Sequence, residues 1–161
     1  MGRSHILKTF LILTISIYIS GCSYAFREKG ALEGKRLFFQ PFINKTNEPN
    51  LGNELSRMVL DELSSSFRLT ENENQAELIL EGELNSALEE VYSYTPDEQP
   101  REFKITVTGN FKLTDSSGKV LFNRHIEGWG TYPADGGSKE NALQEAVELL
   151  ADRLTDQVRS F

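Results

Sequence analysis

Apolar and polar side chains alternate strictly from Phe103 to Leu113, and this pattern constrains the fold more than any other feature of the sequence. Because successive side chains of a β-strand point to opposite faces, the pattern predicts a strand with one buried face and one face in solvent. Ser116–Lys119 follows as a tight turn and Val120–Tyr132 as the returning strand. Matching the apolar faces pairs Leu113 with Phe122 and Gly109 with Ile126.

The same register places Arg124 beside Phe111 on the apolar side of the hairpin. A β-bulge, a position at the sheet edge, or a side chain that extends its charged end into water would accommodate it. The sequence leaves these three explanations open.

Two segments have helical periodicity. The first runs from Leu51 to Phe67, with Asn50 or Asn53 as its N-cap. The second runs from Ser138, a suitable N-cap, to Phe161 and carries a continuous apolar stripe at i, i+3, i+4 and i+7. We predict that both helices pack on the sheet through these stripes.

Two further strands are predicted upstream of the hairpin. Lys35–Phe42 is rich in residues that favour a β-strand, and Pro41 ends the strand because proline cannot donate a hydrogen bond to the sheet. The polar loop 44–50 leads from it to the first helix. In Ala76–Val91, glutamates occupy one parity and leucines the other, which predicts a half-buried strand that ends before a loop at 93–100. The apolar parity comprises Leu78, Leu80, Leu84 and Leu88.

The element order is therefore β-α-β-β-β-α. It predicts an α+β two-layer sandwich with a four-stranded mixed or antiparallel sheet and two helices on one face. The other face is left open, either as an ordinary solvated surface or as a docking surface. Trp129 favours docking, because it is a large ring between two glycines. The predicted open face comprises Lys104, Thr106, Thr108, Asn110, Lys112, Asn123, His125, Glu127, Trp129 and Thr131.

Charge and residue usage exclude several functions. The net charge of −7 argues against nucleic-acid binding. One cysteine and two histidines provide neither an intramolecular disulfide nor a zinc site, and no nucleophile, base or phosphate-binding motif is recognisable, so we expect no cofactor, no metal and no enzymatic activity. Lys112 is expected to pair with Glu83 across the strands. Arg101 and Lys104, near the exposed hairpin tip, remain candidates for a phosphorylated ligand.

The N-terminal segment has the pattern of an export signal. Arg3 and Lys8 precede the apolar run Thr9–Ile19, which is too short to span a bilayer. Ile19-Ser20-Gly21-Cys22 then resembles a bacterial lipobox, which implies lipidation of Cys22, for example with palmitate. We expect a signal peptide at 1–21, a lipidated tether at 22–34 and an α/β domain at 35–161. Ser23, rather than an aspartate, implies the inner leaflet of the outer membrane.

Several motifs together resemble the LPS-assembly lipoprotein family (LptE-like). The segments that carry the resemblance are Cys22–Arg27, Phe39–Pro49, Ala76–Gly82, Arg101–Asp115 and Gly118–Leu121. The resemblance implies a non-catalytic plug inside an LptD-like outer-membrane β-barrel, which supports barrel assembly and lipopolysaccharide insertion into the outer leaflet. Of the site residues, it carries over only the lipidated Cys22. Arg101 and Lys104, from the charge pattern, and Trp129, from the predicted open face, are candidates for binding lipopolysaccharide or the partner.

The mature domain departs from the family in being strongly acidic, so the resemblance maps no basic residue onto a ligand position. The Pro-Phe-x-Asn-x-Thr segment also resembles accessory or activator lipoproteins of secretion channels and cell-wall synthases, which act in the periplasm. The short tether after Cys22 disfavours that alternative, because reaching the inner membrane requires a long linker.

Overall fold

The computed structural model describes residues 32–161, which form one mixed sheet and two α-helices. A single 3₁₀ turn, Glu73–Gln75, interrupts the connection between two of the strands. The elements in chain order are β1 (Arg36–Phe39), β2 (Ile43–Asn44), α1 (Leu51–Leu63), β3 (Arg68–Thr70), β4 (Leu78–Tyr94), β5 (Pro100–Asp115), β6 (Val120–Pro133) and α2 (Lys139–Arg159).

The predicted α+β sandwich is confirmed, but the sheet has six strands rather than four. Its order is β3-β1-β4-β5-β6, with β2 paired to β4. β1 is parallel to β3 and β4 because α1 crosses over between them, whereas β4, β5 and β6 form an antiparallel meander. The two additional strands, β2 and β3, contain two and three residues and are too short for a periodic pattern.

Both helices lie close to their predicted positions. α1 ends at Leu63 instead of continuing to Phe67, which is buried after the turn that follows the helix. Asn50 is the N-cap residue of α1, but it has a φ of 67° and makes no side-chain capping bond. Ser138 caps α2, and its hydroxyl accepts a hydrogen bond of 3.2 Å from the backbone N–H of Asn141.

The predicted register of the β5–β6 hairpin is confirmed. Leu113 pairs with Phe122 and Gly109 with Ile126, and the register runs without a shift from there to the pair of Glu102 and Pro133. Arg124 faces Phe111 as expected and is exposed. Because β6 is the outermost strand and carries no bulge at this point, the sheet edge is what accommodates the charge of Arg124.

The face assignment of the second half of β4 was wrong. Leu84 pairs with Gly109 and Ser86 with Thr108, so Asn85 is an extra residue that forms a β-bulge. The bulge reverses the parity of the following residues. Leu88, predicted on the buried side, is 65% exposed on the open side. Glu89, predicted in solvent, lies on the helix side.

One hydrophobic core lies between the sheet and the helices. Its largest fully buried side chain is Phe111, which packs edge-on against Phe42 with ring centroids 5.1 Å apart. Leu32 also belongs to this core and is 9% exposed. The residues from α2 that complete the core are Ala142, Ala146, Val147, Leu150, Ala151, Leu154 and Val158.

Candidate functional site

The open face is the surface of β4, β5 and β6 that neither α1 nor α2 covers. Its side chains follow from the strand register, which sets neighbouring residues of the three strands in rows. All ten residues predicted for this face from β5 and β6 alternate with core residues as expected. The residues that β4 adds to it include Glu81, Glu83, Ser86, Leu88 and Glu90.

Trp129 occupies the open face because of the two glycines beside it. A Cβ on Gly128 would lie 1.9 Å from the Ala146 carbonyl oxygen, and one on Gly130 would lie 2.1 Å from that of Ala142. These two positions of β6 therefore contact the backbone of α2 directly. Trp129, between them, points to the opposite side and is held there by a closely packed strand.

An apolar centre, formed by Leu88 and Trp129, lies in one row of the open face. Thr106 of β5 stands between them in that row. The two apolar side chains are 65% and 40% exposed, respectively. The Lys104 ammonium, from the next row, lies 5.5 Å from the centroid of the Trp129 ring, within the range of a cation–π contact.

The part of the open face nearest β2 has its polar groups paired with one another. The Lys112 ammonium lies 2.7 Å from a carboxylate oxygen of Glu81. Lys112 therefore pairs with Glu81, and the prediction that it pairs with Glu83 was wrong because the register differs by two residues. The Asn110 side-chain oxygen lies 3.0 Å from Nδ1 of His125. A groove of about 330 Å³ runs beside these pairs.

Glu83 pairs instead with Lys45, which follows β2, at 2.5 Å. The Lys45 ammonium, through this hydrogen bond, lowers the pKa of Glu83. Both side chains of each ion pair on this part of the face are partly solvated, so the pairs contribute little to stability. They leave the surface nearest β2 close to neutral.

Arg101 does not lie on the same face as the other two candidates. It is exposed at the start of β5, and strand alternation places it on the side of Phe103, opposite Lys104. Its carbonyl oxygen accepts a hydrogen bond from the backbone N–H of Ala134, so it marks the end of the hairpin. The structure thus brings Lys104 and Trp129 together and separates Arg101 from them.

A polar cluster on the helix side was not predicted. The Lys139 ammonium lies 3.1 Å from carboxylate oxygens of both Glu48 and Glu89. The Tyr132 hydroxyl also donates to Glu89 and is the main reason that the pKa of Glu89 is lowered. The hydrogen bond to Glu89 raises the pKa of Lys139. This cluster ties α2 to the loop before α1 and to β4.

Within residues 32–161, no helix is long and apolar enough to cross a membrane. The same residues hold no group of three or more metal-binding side chains. The proposed lipidation site, Cys22, and the segment 1–31 lie outside the described residues. The open face of the described residues thus combines ion pairs near β2 with an exposed apolar centre at Leu88 and Trp129.

The fold and this surface define a class: a small two-layer domain with an uncovered antiparallel sheet face. The family model for lipopolysaccharide assembly, LptE, matches residues 34–160. The chain belongs to the LptE family. A comparison with curated proteins gives no significant match.

Several solved structures have the same fold at low sequence identity. A minor lipoprotein from Acinetobacter baumannii aligns with a TM-score of 0.57 and 18% identity, over 78% of this chain and 93% of that one. Uncharacterized lipoprotein B from Nitrosomonas europaea aligns at 0.55 and 17%, over 80% and 84%. The hypothetical protein CT253 from Chlamydia trachomatis aligns at 0.55 and 12%, over 78% and 93%.

Proposed function

We propose that this protein is an outer-membrane lipoprotein that acts as a non-catalytic plug in an LptD-like β-barrel and supports lipopolysaccharide insertion into the outer leaflet. Membership in the lipopolysaccharide-assembly family supports a role in the assembly of lipopolysaccharide. The plug role rests on one observation: a sheet face that neither α1 nor α2 covers, with ion pairs near β2 and an apolar centre at Leu88 and Trp129. Such a face is suited to the polar lumen of a large barrel.

In this proposal, Cys22 carries the lipid that anchors the protein to the inner leaflet. Each buried CH₂ group contributes about 0.8 kcal/mol, so two or more acyl chains hold a protein stably at a membrane without a basic patch. The acidic charge of the chain is then no obstacle to anchoring. The folded domain faces the periplasm and the barrel lumen.

The three candidate residues have separate roles in this proposal. Lys104 and Trp129, on the open face, contact the partner. Arg101, at the hairpin end and on the other side of the strand, is available to a phosphate group of lipopolysaccharide. Within residues 32–161, neither Arg101 nor Lys104 has a carboxylate within 4.0 Å.

Affinity purification from detergent-solubilised outer membranes tests the function. We expect an SDS-resistant barrel to co-purify with the full-length protein. The Cys22→Ala variant should fold but leave the membrane fraction, and unchanged fractionation of this variant would contradict lipidation. Recovery of a peptidoglycan synthase or a secretion channel instead of a barrel would overturn the plug role in favour of an accessory lipoprotein.

A further inference from the structure

The part of the open face around the apolar centre has an excess of negative charge. The register places Glu81, Glu83, Glu90, Glu102 and Glu127 on this face, together with Lys104 and Lys112. Two of the five carboxylates are in ion pairs, Glu81 with Lys112 and Glu83 with Lys45. Three carboxylates and the single ammonium of Lys104 remain around the apolar centre. The Arg153 guanidinium of α2 donates a hydrogen bond of 2.7 Å to the Glu127 carbonyl oxygen, so one further cation lies at the edge of this region and the excess remains negative.

The remaining carboxylates border the apolar centre on both sides. Glu90 and Lys104 lie in the row on one side of Leu88 and Trp129, and Glu127 lies in the row on the other side. Glu90 and Glu127 are exposed, and Glu102 accepts a hydrogen bond of 2.9 Å from the Ser93 hydroxyl. An exposed aromatic and aliphatic pair within a charged border resembles the arrangement of binding hot spots in protein interfaces.

The negative charge around Leu88 and Trp129 favours some binding partners of the open face over others. A phosphorylated glycolipid would bring further negative charge against Glu90 and Glu127, and a second copy of this chain would bring the same excess of carboxylates against this face. Like-charge contacts of this kind disfavour both occupants, as they exclude wrong partners from other interfaces. A surface with lysine or arginine side chains around an apolar group complements both the charge and the apolar centre.

We infer that the open face around Leu88 and Trp129 docks a basic protein surface and does not bind the glycolipid. The inference rests on the proposed function in so far as the partner belongs to the same envelope assembly. It assigns glycolipid contact to other parts of the molecule, such as the hairpin end that carries Arg101. Lys104, held over the Trp129 ring, then contributes to the shape of the docking surface more than to anion binding.

Photocross-linking in intact cells tests the occupant directly. A benzophenone amino acid replaces Leu88, which is exposed and leaves the core intact, in the full-length protein. We expect a cross-link to a protein, and mass spectrometry should locate the attached peptide in a segment with lysine or arginine side chains. A cross-link to lipopolysaccharide, a cross-link to a second copy, or no cross-link at all would each overturn the inference.

A charge-reversal pair tests the role of the carboxylates. Glu90→Lys with Glu127→Lys should reduce the cross-link yield at least tenfold. The control pair, Glu71→Lys after β3 with Asp135→Lys in the turn before α2, changes two exposed acids outside the open face, makes the same change in net charge and should leave the yield within twofold. Equal cross-link yields in the two double variants would contradict a basic partner. Circular dichroism shows whether each double variant keeps the melting temperature of the unmodified protein.

The two proposals fail in different ways. If the unmodified protein recovers no barrel, the plug function is wrong, whereas a cross-link at Leu88 to the basic surface of another protein still supports this inference. If the barrel is recovered and Leu88 cross-links only to lipopolysaccharide, the plug function stands and the assignment of this face is wrong.

Discussion

Gly128 of β6 lies against the backbone of Ala146 on α2, and a Cβ at Gly128 would be only 1.9 Å from the Ala146 carbonyl oxygen. The contact brings the helix and the edge strand as close as their backbones allow. It also explains why the adjacent Trp129 points away from the core. The close packing of Gly128 against α2 on one side of β6 thus determines that Trp129 is exposed on the other side.

Gly128→Ala should destabilise the domain. The added methyl group has no space, so α2 must move away from β6, and overpacking of this kind costs about 1 to 3 kcal/mol. The free energy of unfolding in urea measures the effect. Thr131→Ala, on the same strand but on the open face, is the matched control and should change stability by less than about 0.5 kcal/mol. Equal unfolding midpoints for the two variants would show that the helix does not pack as described.

Trp129→Glu should leave the fold intact while weakening association with the partner. The ring is 40% exposed and its cation–π contact with Lys104 is worth about 0.5 to 1 kcal/mol at a surface site, so only a small loss of stability is expected. Thermal unfolding and co-purification from membranes measure the two effects separately. A large drop in melting temperature would place Trp129 in the core.

Asp152→Asn should stabilise the protein near neutral pH. Partial burial, together with a hydrogen bond to Glu62 and the nearby charges of Glu62 and other acids, raises the pKa of Asp152 above its ordinary value of 3.8. A carboxyl group whose pKa is raised on folding favours the folded state only at low pH, and this contribution is lost as the pH rises through the folded-state pKa. Asparagine removes the charge that is unfavourable at neutral pH.

The gain from Asp152→Asn should therefore be largest at neutral pH and shrink as the pH falls through the raised pKa. Melting temperatures measured from pH 7 down to about pH 4, near the ordinary aspartate pKa, follow this change. A benefit of Asp152→Asn that does not depend on pH would rule out this mechanism.

Ser138→Ala should cost about 1 kcal/mol, the typical value for loss of an N-cap. The Ser138 hydroxyl accepts the backbone N–H of Asn141 at 3.2 Å, and alanine leaves that donor without the bond. Chemical denaturation measures the loss. Ser138→Asp, which retains an acceptor and adds a favourable charge at the helix N-terminus, should restore stability. If alanine and aspartate give the same stability, the cap does not hold the start of α2.

The sequence predicted those helices and strands that bury one face, because their apolar side chains recur with a regular period. The register of β5 and β6 followed from the alternation that begins at Phe103. The same alternation extends back to Arg101, so the sequence also contained the information that Arg101 and Lys104 lie on opposite faces. The apolar stripe and Ser138 located α2. In each case one repeating pattern covers enough residues to identify a face.

Other features depend on contacts between distant segments. β2 and β3 are too short to have a pattern and exist because β4 and β1 provide hydrogen-bonding partners. The cluster around Lys139 joins four separate segments, the loop with Glu48, β4, β6 and α2. The bulge at Asn85 has no local signal either, so the positions of Leu88 and Glu89 were reversed in the prediction.

The bulge at Asn85 determines which face of the sheet each of the following residues of β4 occupies. Deleting that single residue would turn the rest of the strand over, sending Leu88 inward and Glu89 outward, while leaving the path of the backbone almost unchanged. Relatives that differ by one insertion at this point would therefore keep the same architecture yet present a different outer surface. A change of one residue in the length of this strand would thus alter the outer surface without altering the fold.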